Sequence, residues 1–187
     1  MEKGIGSMIK RTGKQDNFKK QFTRAVVIYL VLIAVVIIGF QYIWMLNFVP
    51  TGSMEPTIKK GDVVLGTRYD TGKGEIERYD ILVFYPPDEP DTTYIKRVIG
   101  LPGETIVVSS GKVCANNVEL DNSFVRNPMN RRGDGIYVVP EGCYFFLGDN
   151  RNNSNDSRFW QEKYVPQENI VAKSRCIIHL SDLIGDN

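Results

Sequence analysis

A serine held between two prolines is the first group in this sequence that could act as a nucleophile. Ser53 follows Gly52, and the pair lies between Pro50 and Pro56. Proline fixes φ, and glycine permits a close approach by another chain, so the segment suits a hydroxyl presented on a rigid extended loop. An ordinary stalk leading into a domain is the other interpretation of the same residues.

A lysine within a predicted strand could supply the base that a serine nucleophile needs. The one histidine, His179, lies in an apolar run near the C-terminus, where a packed or edge-strand side chain is the favoured interpretation. Among the twelve lysines, Lys96 is the candidate, because it lies inside the β-type apolar run of residues 94–99. Burial can lower the pKa of a lysine from about 10.4 to about 5–6, which leaves a neutral amine as a base. The alternative is that Lys96 is an exposed strand residue, because the charged Arg97 that follows it breaks the alternation of the apolar run.

A dense polar run, residues 148–158, follows an apolar run. Its Asn, Asp, Ser and Arg side chains can hydrogen-bond to the backbone and to one another, and so fix a loop beside a site. A calcium loop of the EF-hand type is excluded. Counted from Asp149, it needs Gly and Glu at the positions where Ser154 and Trp160 stand.

An apolar segment of 22 residues, 25–46, precedes these motifs. No charged residue occurs between Arg24 and Glu55, and a helix of that length spans ~33 Å, about the hydrocarbon thickness of a bilayer. A cleavable signal peptide has a shorter apolar core and a small-residue cleavage site, and a buried soluble helix is the third interpretation. The length of the segment favours an uncleaved anchor.

Charge is asymmetric about that segment. Residues 1–24 contain seven Lys/Arg and two acidic residues, and the rest of the chain contains 16 basic and 20 acidic residues. The positive-inside tendency therefore predicts a cytoplasmic N-terminus (1–24), a transmembrane anchor (25–46) and an extracytoplasmic domain (47–187). Ser53 lies seven residues past the predicted anchor, so it stays within ~25 Å of the bilayer surface. The mildly acidic body does not suggest nucleic-acid binding.

The part after the apolar segment is predicted to be β-rich. Runs of residues rich in β-branched and aromatic types, bounded by Gly, Pro and Asn, are typical of strands. Ser109, Ser110 and Gly111 predict a hairpin turn, and residues 155–161 predict one short helix. The predicted strands are residues 62–67, 80–85, 94–99, 104–108, 112–115, 135–139, 143–147 and 170–180.

The cysteines do not indicate a metal site. Cys114, Cys143 and Cys176 fit no metal-binding spacing, and a single histidine argues against zinc. At most one disulfide can form, and three buried free thiols are the alternative, since cysteine behaves as a small apolar residue. No metal or other cofactor is therefore expected.

Together these segments resemble the type I signal peptidases, bacterial serine–lysine enzymes, over about residues 25–180. The matching pieces occur in the family's order, and the chain looks like the small form with a single anchor. The resemblance implies a mainly β fold, in which a transmembrane helix precedes a catalytic domain of coiled antiparallel sheets. After the apolar segment, the matching pieces are residues 52–57, 61–64, 78–84, 94–104 and 148–158.

The activity implied by the resemblance is that of a membrane-bound serine endopeptidase. Such an enzyme cleaves signal peptides after small-x-small (Ala-x-Ala) sites. Its partners would be the lipid bilayer and signal-peptide-bearing pre-proteins emerging from the secretion machinery, and not nucleic acid.

The resemblance also implies roles for individual residues. Ser53 looks like the nucleophile and Lys96 like the general base. The Ser53 backbone N–H and the Thr51 hydroxyl would form the oxyanion hole, with Thr51 a departure from the more usual Ser or Gly. Ser154 matches a hydroxyl that orients the lysine amine. The other matches are two supporting pairs, Arg97 with Asp149 and Arg158 with Asp156, and two residues that line shallow P1 and P3 pockets, Val49 and Ile95.

Two other classes of protein share part of the pattern. A self-cleaving repressor also has a Ser–Lys pair, but it should carry a DNA-binding domain, for which residues 1–24 are too short. A non-catalytic β-module on a membrane stalk, such as a scaffold or receptor, is the second alternative. Proteolytic activity that depends on the serine and the lysine separates the peptidase from both.

Overall fold

The computed structural model describes residues 2–68 and 74–184. Residue 1 of the predicted cytoplasmic segment, and residues 69–73 and 185–187 of the predicted extracytoplasmic domain, lie outside these ranges. The chain divides into two units, Met1–Ile43 and Trp44–Asn187.

The first unit contains helix α1, Glu2–Tyr42. Its part Phe18–Tyr42 has a mean hydropathy of 2.6, and apolar side chains such as Val27, Leu32 and Ile37 are more than half exposed. These 25 residues span ~38 Å as a helix. By length and composition the helix can cross a bilayer, which fits a membrane anchor.

The C-terminal end of the predicted anchor differs from the structure. The helix ends at Tyr42, whereas the anchor was predicted to extend to residue 46. Strand β1, Trp44–Phe48, begins inside that prediction and pairs with residues 63–67 in antiparallel register. Apolar residues fill both a membrane helix and an edge strand, so hydropathy alone does not mark where one becomes the other.

The second unit is built from antiparallel sheets, which confirms the predicted mainly β fold. One sheet has the strand order β1-β2-β11-β3-β4-β9-β10 and the other β7-β6-β5-β8. A 3₁₀ turn, Gln167–Asn169, precedes β11, and a short helix α2, Leu180–Ile184, follows it. The strands after β1 are β2 Val63–Arg68, β3 Ile81–Phe84, β4 Tyr94–Gly100, β5 Thr105–Ser109, β6 Lys112–Ala115, β7 Val118–Glu119, β8 Gly135–Val138, β9 Cys143–Leu147, β10 Val165–Pro166 and β11 Ile170–Ile178.

The predicted hairpin turn joins β5 to β6. Ser109 pairs with Lys112, and the two residues between them, Ser110 and Gly111, have φ values of 49° and 86°. Positive φ at both central residues is the type I′ geometry, whose twist matches that of the flanking strands. The prediction of a turn at this position is confirmed.

The predicted short helix at residues 155–161 is wrong, because this segment forms turns. The Asp156 carboxylate binds the Arg158 side chain and accepts a hydrogen bond from the Gly148 N–H. The Asp156 carbonyl accepts from the N–H groups of residues 159 and 160. A side chain that bonds to groups outside the segment holds the backbone in turns and competes with a helix.

The three cysteines are free thiols, as in the second of the two alternatives, but none of them is fully buried as that alternative supposed. Cys176 is exposed, and Cys114 and Cys143 are half-buried. On β6 the neighbours Val113 and Ala115 are buried, and alternation along the strand turns Cys114 to the outer face of the sheet.

Strand β4 contributes to all three apolar clusters of the second unit. Successive side chains of a strand point to opposite faces, so Val98 joins one cluster and Ile99 another. Ile95 packs against the third. In the Val98 cluster, the rings of Phe84 and Phe146 stack with their centroids 4.2 Å apart. The result is a strand covered on both faces, and Lys96 lies within it.

Replacing Phe146 by alanine is expected to lower the free energy of unfolding by about 3–5 kcal/mol, because it leaves a cavity in a closed core. Ile136→Ala is the control: its side chain is 71% exposed on β8, and the expected change is within about 0.5 kcal/mol. Urea denaturation of the full chain in detergent, followed by tryptophan fluorescence, measures both. Equal losses in the two variants would contradict this description of the core.

Candidate active site

The Ser53 loop follows β1 and is held by its neighbours in the chain. Met54 and Ile58 are buried in the same apolar cluster as Val49, and the Ile58 N–H donates to the Met54 carbonyl at 3.0 Å. The Gly61 N–H donates to the Val49 carbonyl at 2.8 Å, which closes the base of the loop. Ser53 itself is half-buried. The fixed backbone around it limits where its hydroxyl can point.

Strand β4 brings Lys96 to Ser53 across 43 residues of sequence. Lys96 Nζ lies 2.7 Å from Ser53 Oγ and donates to the Ile95 carbonyl at 3.2 Å. The ring of Tyr94, two residues earlier in the strand, has its centroid 5.3 Å from Nζ. The Thr51 hydroxyl lies 3.4 Å from Ser53 Oγ. When the amine is neutral, this hydrogen bond can reverse, with the Ser53 hydroxyl donating to Lys96 Nζ.

Burial changes the acid–base behaviour of this amine. Lys96 is 4% exposed, and the loss of hydration lowers its pKa to about 8, although the charges of Asp156 and Asp149 partly oppose the shift. A lysine with this pKa is neutral in a substantial fraction of molecules at mildly alkaline pH. A neutral amine in contact with a hydroxyl is the arrangement of a nucleophile and its base.

Ser53 and Lys96 line a cleft of about 420 Å³. Residues 47–54 form one wall, and residues 92–96 contribute another. Val49 and Ile95, the predicted pocket residues, both line it. Val49 is 5% exposed and packs in the cluster that contains Met54.

Two bidentate ion pairs lie beside the cleft residues, between the same partners that the resemblance implies. Arg97 Nε and Nη2 donate to Asp149 Oδ1 and Oδ2 at 2.8 and 2.6 Å. Arg158 Nε and Nη2 donate to Asp156 Oδ1 and Oδ2 at 2.8 Å each. All four residues are buried. Because each charge has its counter-charge, the polar run can remain inside the domain.

Ser154 lies beside the nucleophile loop but is not bonded to the lysine. Its Oγ is buried and has no hydrogen-bond partner among the residues that the structure describes, and the second bond of Lys96 goes to Ile95. A Cβ added at Gly148 would overlap both Ser154 Oγ and the Ser53 carbonyl oxygen. Ser154 is therefore close enough to shape the loop, and its role in orienting the amine stays a prediction.

The histidine lies against a different partner. His179 follows β11, and its Nδ1 is 2.7 Å from Asp62 Oδ2. The same carboxylate oxygen accepts the Lys59 N–H at 2.7 Å. His179 is not among the residues that line the cleft. Its contact with a carboxylate gives it a structural partner away from the Ser53 hydroxyl.

Sequence reasoning missed two residues that hold the site together. The Asn150 side chain donates to the Gly52 carbonyl at 3.0 Å, and the Thr57 hydroxyl donates to Asp149 Oδ2 at 2.5 Å. Both belong to motifs that were recognised, the polar run and the Ser53 loop. Their partners lie 98 and 92 residues away, so no local spacing could indicate the contacts.

A family model described as signal peptidase, peptidase S26, matches residues 21–179. The chain belongs to the signal peptidase family. Signal peptidase I of Pseudomonas fluorescens is 33% identical over 84% of this chain and 70% of that protein. Signal peptidase I of Leptolyngbya laminosa is 36% identical over 68% of this chain and 65% of that protein. A crystal structure of signal peptidase I from Enterococcus faecalis V583 has 33% identity and a TM-score of 0.45, with 52% of this chain and 94% of that chain covered.

Membership of the signal peptidase family confirms two predictions made from the sequence. The resemblance to type I signal peptidases is correct, and the protein is a serine peptidase and therefore a hydrolase. Among the residues that the structure describes, one helix is long and apolar enough to cross a membrane, and it fits a membrane anchor in such a peptidase.

The Lys96 amine of this signal peptidase family member is expected to titrate near pH 8, because burial disfavours its ammonium form. The measurement is NMR of protein labelled at the lysine ε-carbons, with the Lys96 signal identified by its loss in Lys96→Ala. Lys112 serves as the control, since it is fully exposed and Glu119 raises its pKa above the ordinary value. A Lys96 midpoint equal to that of Lys112 would show that the amine is not desolvated in solution.

Proposed function

We propose that this protein is a membrane-bound serine endopeptidase that uses a Ser53–Lys96 dyad to cleave signal peptides from exported pre-proteins after small-x-small sites. The observation that carries the proposal is the 2.7 Å distance between Lys96 Nζ and Ser53 Oγ, combined with the burial of that amine. The substrate class is supported by the relatives, which are named signal peptidase I.

In the acylation step, the neutral Lys96 amine accepts the Ser53 proton while Oγ attacks the carbonyl carbon of the scissile peptide bond. The carbonyl oxygen becomes an oxyanion. The Ser53 backbone N–H and the Thr51 hydroxyl donate hydrogen bonds to it, each worth about 3–4 kcal/mol in comparable hydrolases. Because Thr51 is exposed and 3.4 Å from Ser53 Oγ, its hydroxyl can turn toward the substrate oxygen.

The second half of the reaction uses the same lysine. The Lys96 ammonium returns its proton to the leaving amine, which becomes the new N-terminus of the mature protein. A water molecule then attacks the Ser53 ester, with the neutral amine again as the base. Arg97–Asp149 and Arg158–Asp156 support the site by holding β4 and the polar run in place. We assign Ser154 the orienting role that the resemblance implies, which requires its hydroxyl, without a partner among the described residues, to turn to the amine.

An extended substrate explains the small-x-small preference. The segment before the scissile bond lies between the two cleft walls and adds to them as a strand. Alternate side chains of an extended peptide face the same side, so P1 and P3 point toward Val49 and Ile95 while P2 points outward. We expect small side chains to fit best at these positions, because Val49 is buried and packs in the cluster that contains Met54.

The proposed topology places this chemistry outside the cytoplasmic membrane. The basic residues 1–24 stay in the cytoplasm, because seven Lys/Arg precede the apolar segment. The helix that ends at Tyr42 is a single-pass anchor, and the unit that begins at Trp44 forms the extracytoplasmic peptidase domain. Pre-proteins reach it as they emerge from the secretion machinery, with their own apolar segments in the same bilayer.

Removing either member of the dyad is expected to lower cleavage of a pre-protein with an Ala-x-Ala site by at least about 10³-fold, because the nucleophile or its base is lost. Ser53→Ala and Lys96→Ala are assayed in detergent, with the cut position determined by mass spectrometry. His179→Ala is the control and keeps wild-type activity. Full activity in Lys96→Ala would eliminate the lysine as the base.

The pH dependence follows from the need for a neutral amine. With a lowered pKa of about 8, Lys96 is neutral above that pH and protonated below it. We expect kcat/KM to be constant above about pH 8 and to fall about tenfold per pH unit below it. A profile that is flat down to pH 6 would contradict the role of Lys96.

A further inference from the structure

Asn150 is bonded to both carbonyl groups that flank the nucleophile. Its side-chain Nδ2 donates to the Gly52 carbonyl at 3.0 Å, and its backbone N–H donates to the Ser53 carbonyl at 3.1 Å. The Glu55 N–H also donates to the Gly52 carbonyl, at 3.2 Å. Two donors on one oxygen fix the plane of the Gly52–Ser53 peptide.

This arrangement leaves the Ser53 N–H facing the other way. In a trans peptide the C=O and N–H bonds point in opposite directions, and the Gly52–Ser53 bond is not among the cis bonds. Turning the Gly52 oxygen toward Asn150 therefore turns the Ser53 N–H away from it. Over residues 2–68 and 74–184, no protein group accepts a hydrogen bond from this N–H. It is a free donor in the cleft wall that residues 47–54 form, beside the Ser53 hydroxyl.

Glycine at position 52 makes a second orientation of the same peptide accessible. A peptide plane rotates through ψ of the residue before it, and glycine adopts a wider range of backbone angles than any other residue. Contacts to the Gly52 oxygen therefore decide which orientation the Gly52–Ser53 peptide takes. The Glu55 N–H binds this oxygen from within the loop, and the Asn150 side chain adds a contact from outside it.

We propose that Asn150 is a positioning residue that holds the Gly52–Ser53 peptide so that the Ser53 N–H points at the oxyanion formed during cleavage. This inference rests on the proposed role of Ser53 as the nucleophile. Asn150 does not line the cleft that contains Ser53 and Lys96, so it acts through the peptide and does not touch the substrate. We expect Asn150 to stabilise the transition state, because charge develops there on the substrate oxygen that the Ser53 N–H faces.

The test uses the full chain in detergent with Asn150→Leu, which keeps a similar side-chain size but has no donor and no charge. We expect kcat to fall about 10–100-fold, between the effect of one lost hydrogen bond and that of a lost oxyanion donor. KM should stay within about twofold, since binding of the ground state does not use this N–H. The pH midpoint near 8 should not move, because the contacts of Lys96 are unchanged.

Inhibitors give a readout that general loosening of the loop would not reproduce. A substrate-like peptide aldehyde forms a tetrahedral adduct with Ser53 Oγ, and its oxygen takes the place of the oxyanion. Its affinity should fall in Asn150→Leu by the same factor as kcat. The matching peptide alcohol cannot form the adduct, and its affinity should stay unchanged.

Asn152→Leu is the matched control. Asn152 lies in the same polar run, and its side chain also bonds to backbone groups, donating to the Pro128 carbonyl at 2.9 Å and accepting from the Asn130 N–H at 2.8 Å. These bonds do not involve the nucleophile loop. Wild-type kcat and aldehyde affinity are expected.

The outcomes separate this inference from the proposed function. Wild-type kcat in Asn150→Leu, alongside an inactive Ser53→Ala, overturns the role of Asn150 and leaves the dyad intact. A rise of KM with equal losses for aldehyde and alcohol also overturns it, because the whole loop would have moved. Cleavage by Ser53→Ala overturns the proposed function itself. If Asn150→Leu does not fold, as judged by its thermal melting, Asn150→Ala provides the same comparison.

Discussion

The contact between Lys96 and Ser53 requires an amine that is out of water and still touches a hydroxyl. Burial of Lys96 lowers its pKa from an ordinary value of 10.5 to about 8. At about 1.4 kcal/mol per pKa unit, the ammonium form is disfavoured by roughly 3 kcal/mol. The domain must offset this cost elsewhere, and strand β4 makes that possible because apolar clusters cover it on both faces.

The charged groups around Lys96 are paired with one another, and Lys96 itself has no carboxylate partner among the described residues. Asp149 and Asp156, the carboxylates whose charges reach it, are each engaged by an arginine in a buried bidentate pair. Within the described part of the chain, no carboxylate lies within ion-pair distance of the lysine. A carboxylate bound to Lys96 would restore its charge and remove the base. The arginine pairs therefore stabilise the loop. They also keep the two aspartates from pairing with Lys96, which would raise its pKa again.

Most strands were predictable because they follow from local patterns. Runs of β-branched and aromatic residues located β2 to β6, β8, β9 and β11, and a serine–glycine pair located the β5–β6 turn. The failures occurred where a local pattern had two outcomes. Apolar residues 44–46 continue a membrane-like run but pair as a strand. Residues 155–161 have the pattern of a short helix, but the Asp156 carboxylate accepts a hydrogen bond from the Gly148 N–H, which lies outside that segment. In both cases a partner distant in space or outside the pattern decided the conformation.

The sequence by itself determined which groups are present and in what order: an apolar helix, a serine between prolines, a lysine within the apolar run of residues 94–99, and a polar run. These are properties of residue type and short-range period. Only the tertiary structure decided that the Ser154 hydroxyl has no partner among the described residues. It also decided that the lysine meets the serine and that Asn150 binds the peptide before the nucleophile. Such contacts join residues up to 98 positions apart, and they depend on the register of antiparallel strands. Register is set by packing of the whole domain, so no local spacing contains it.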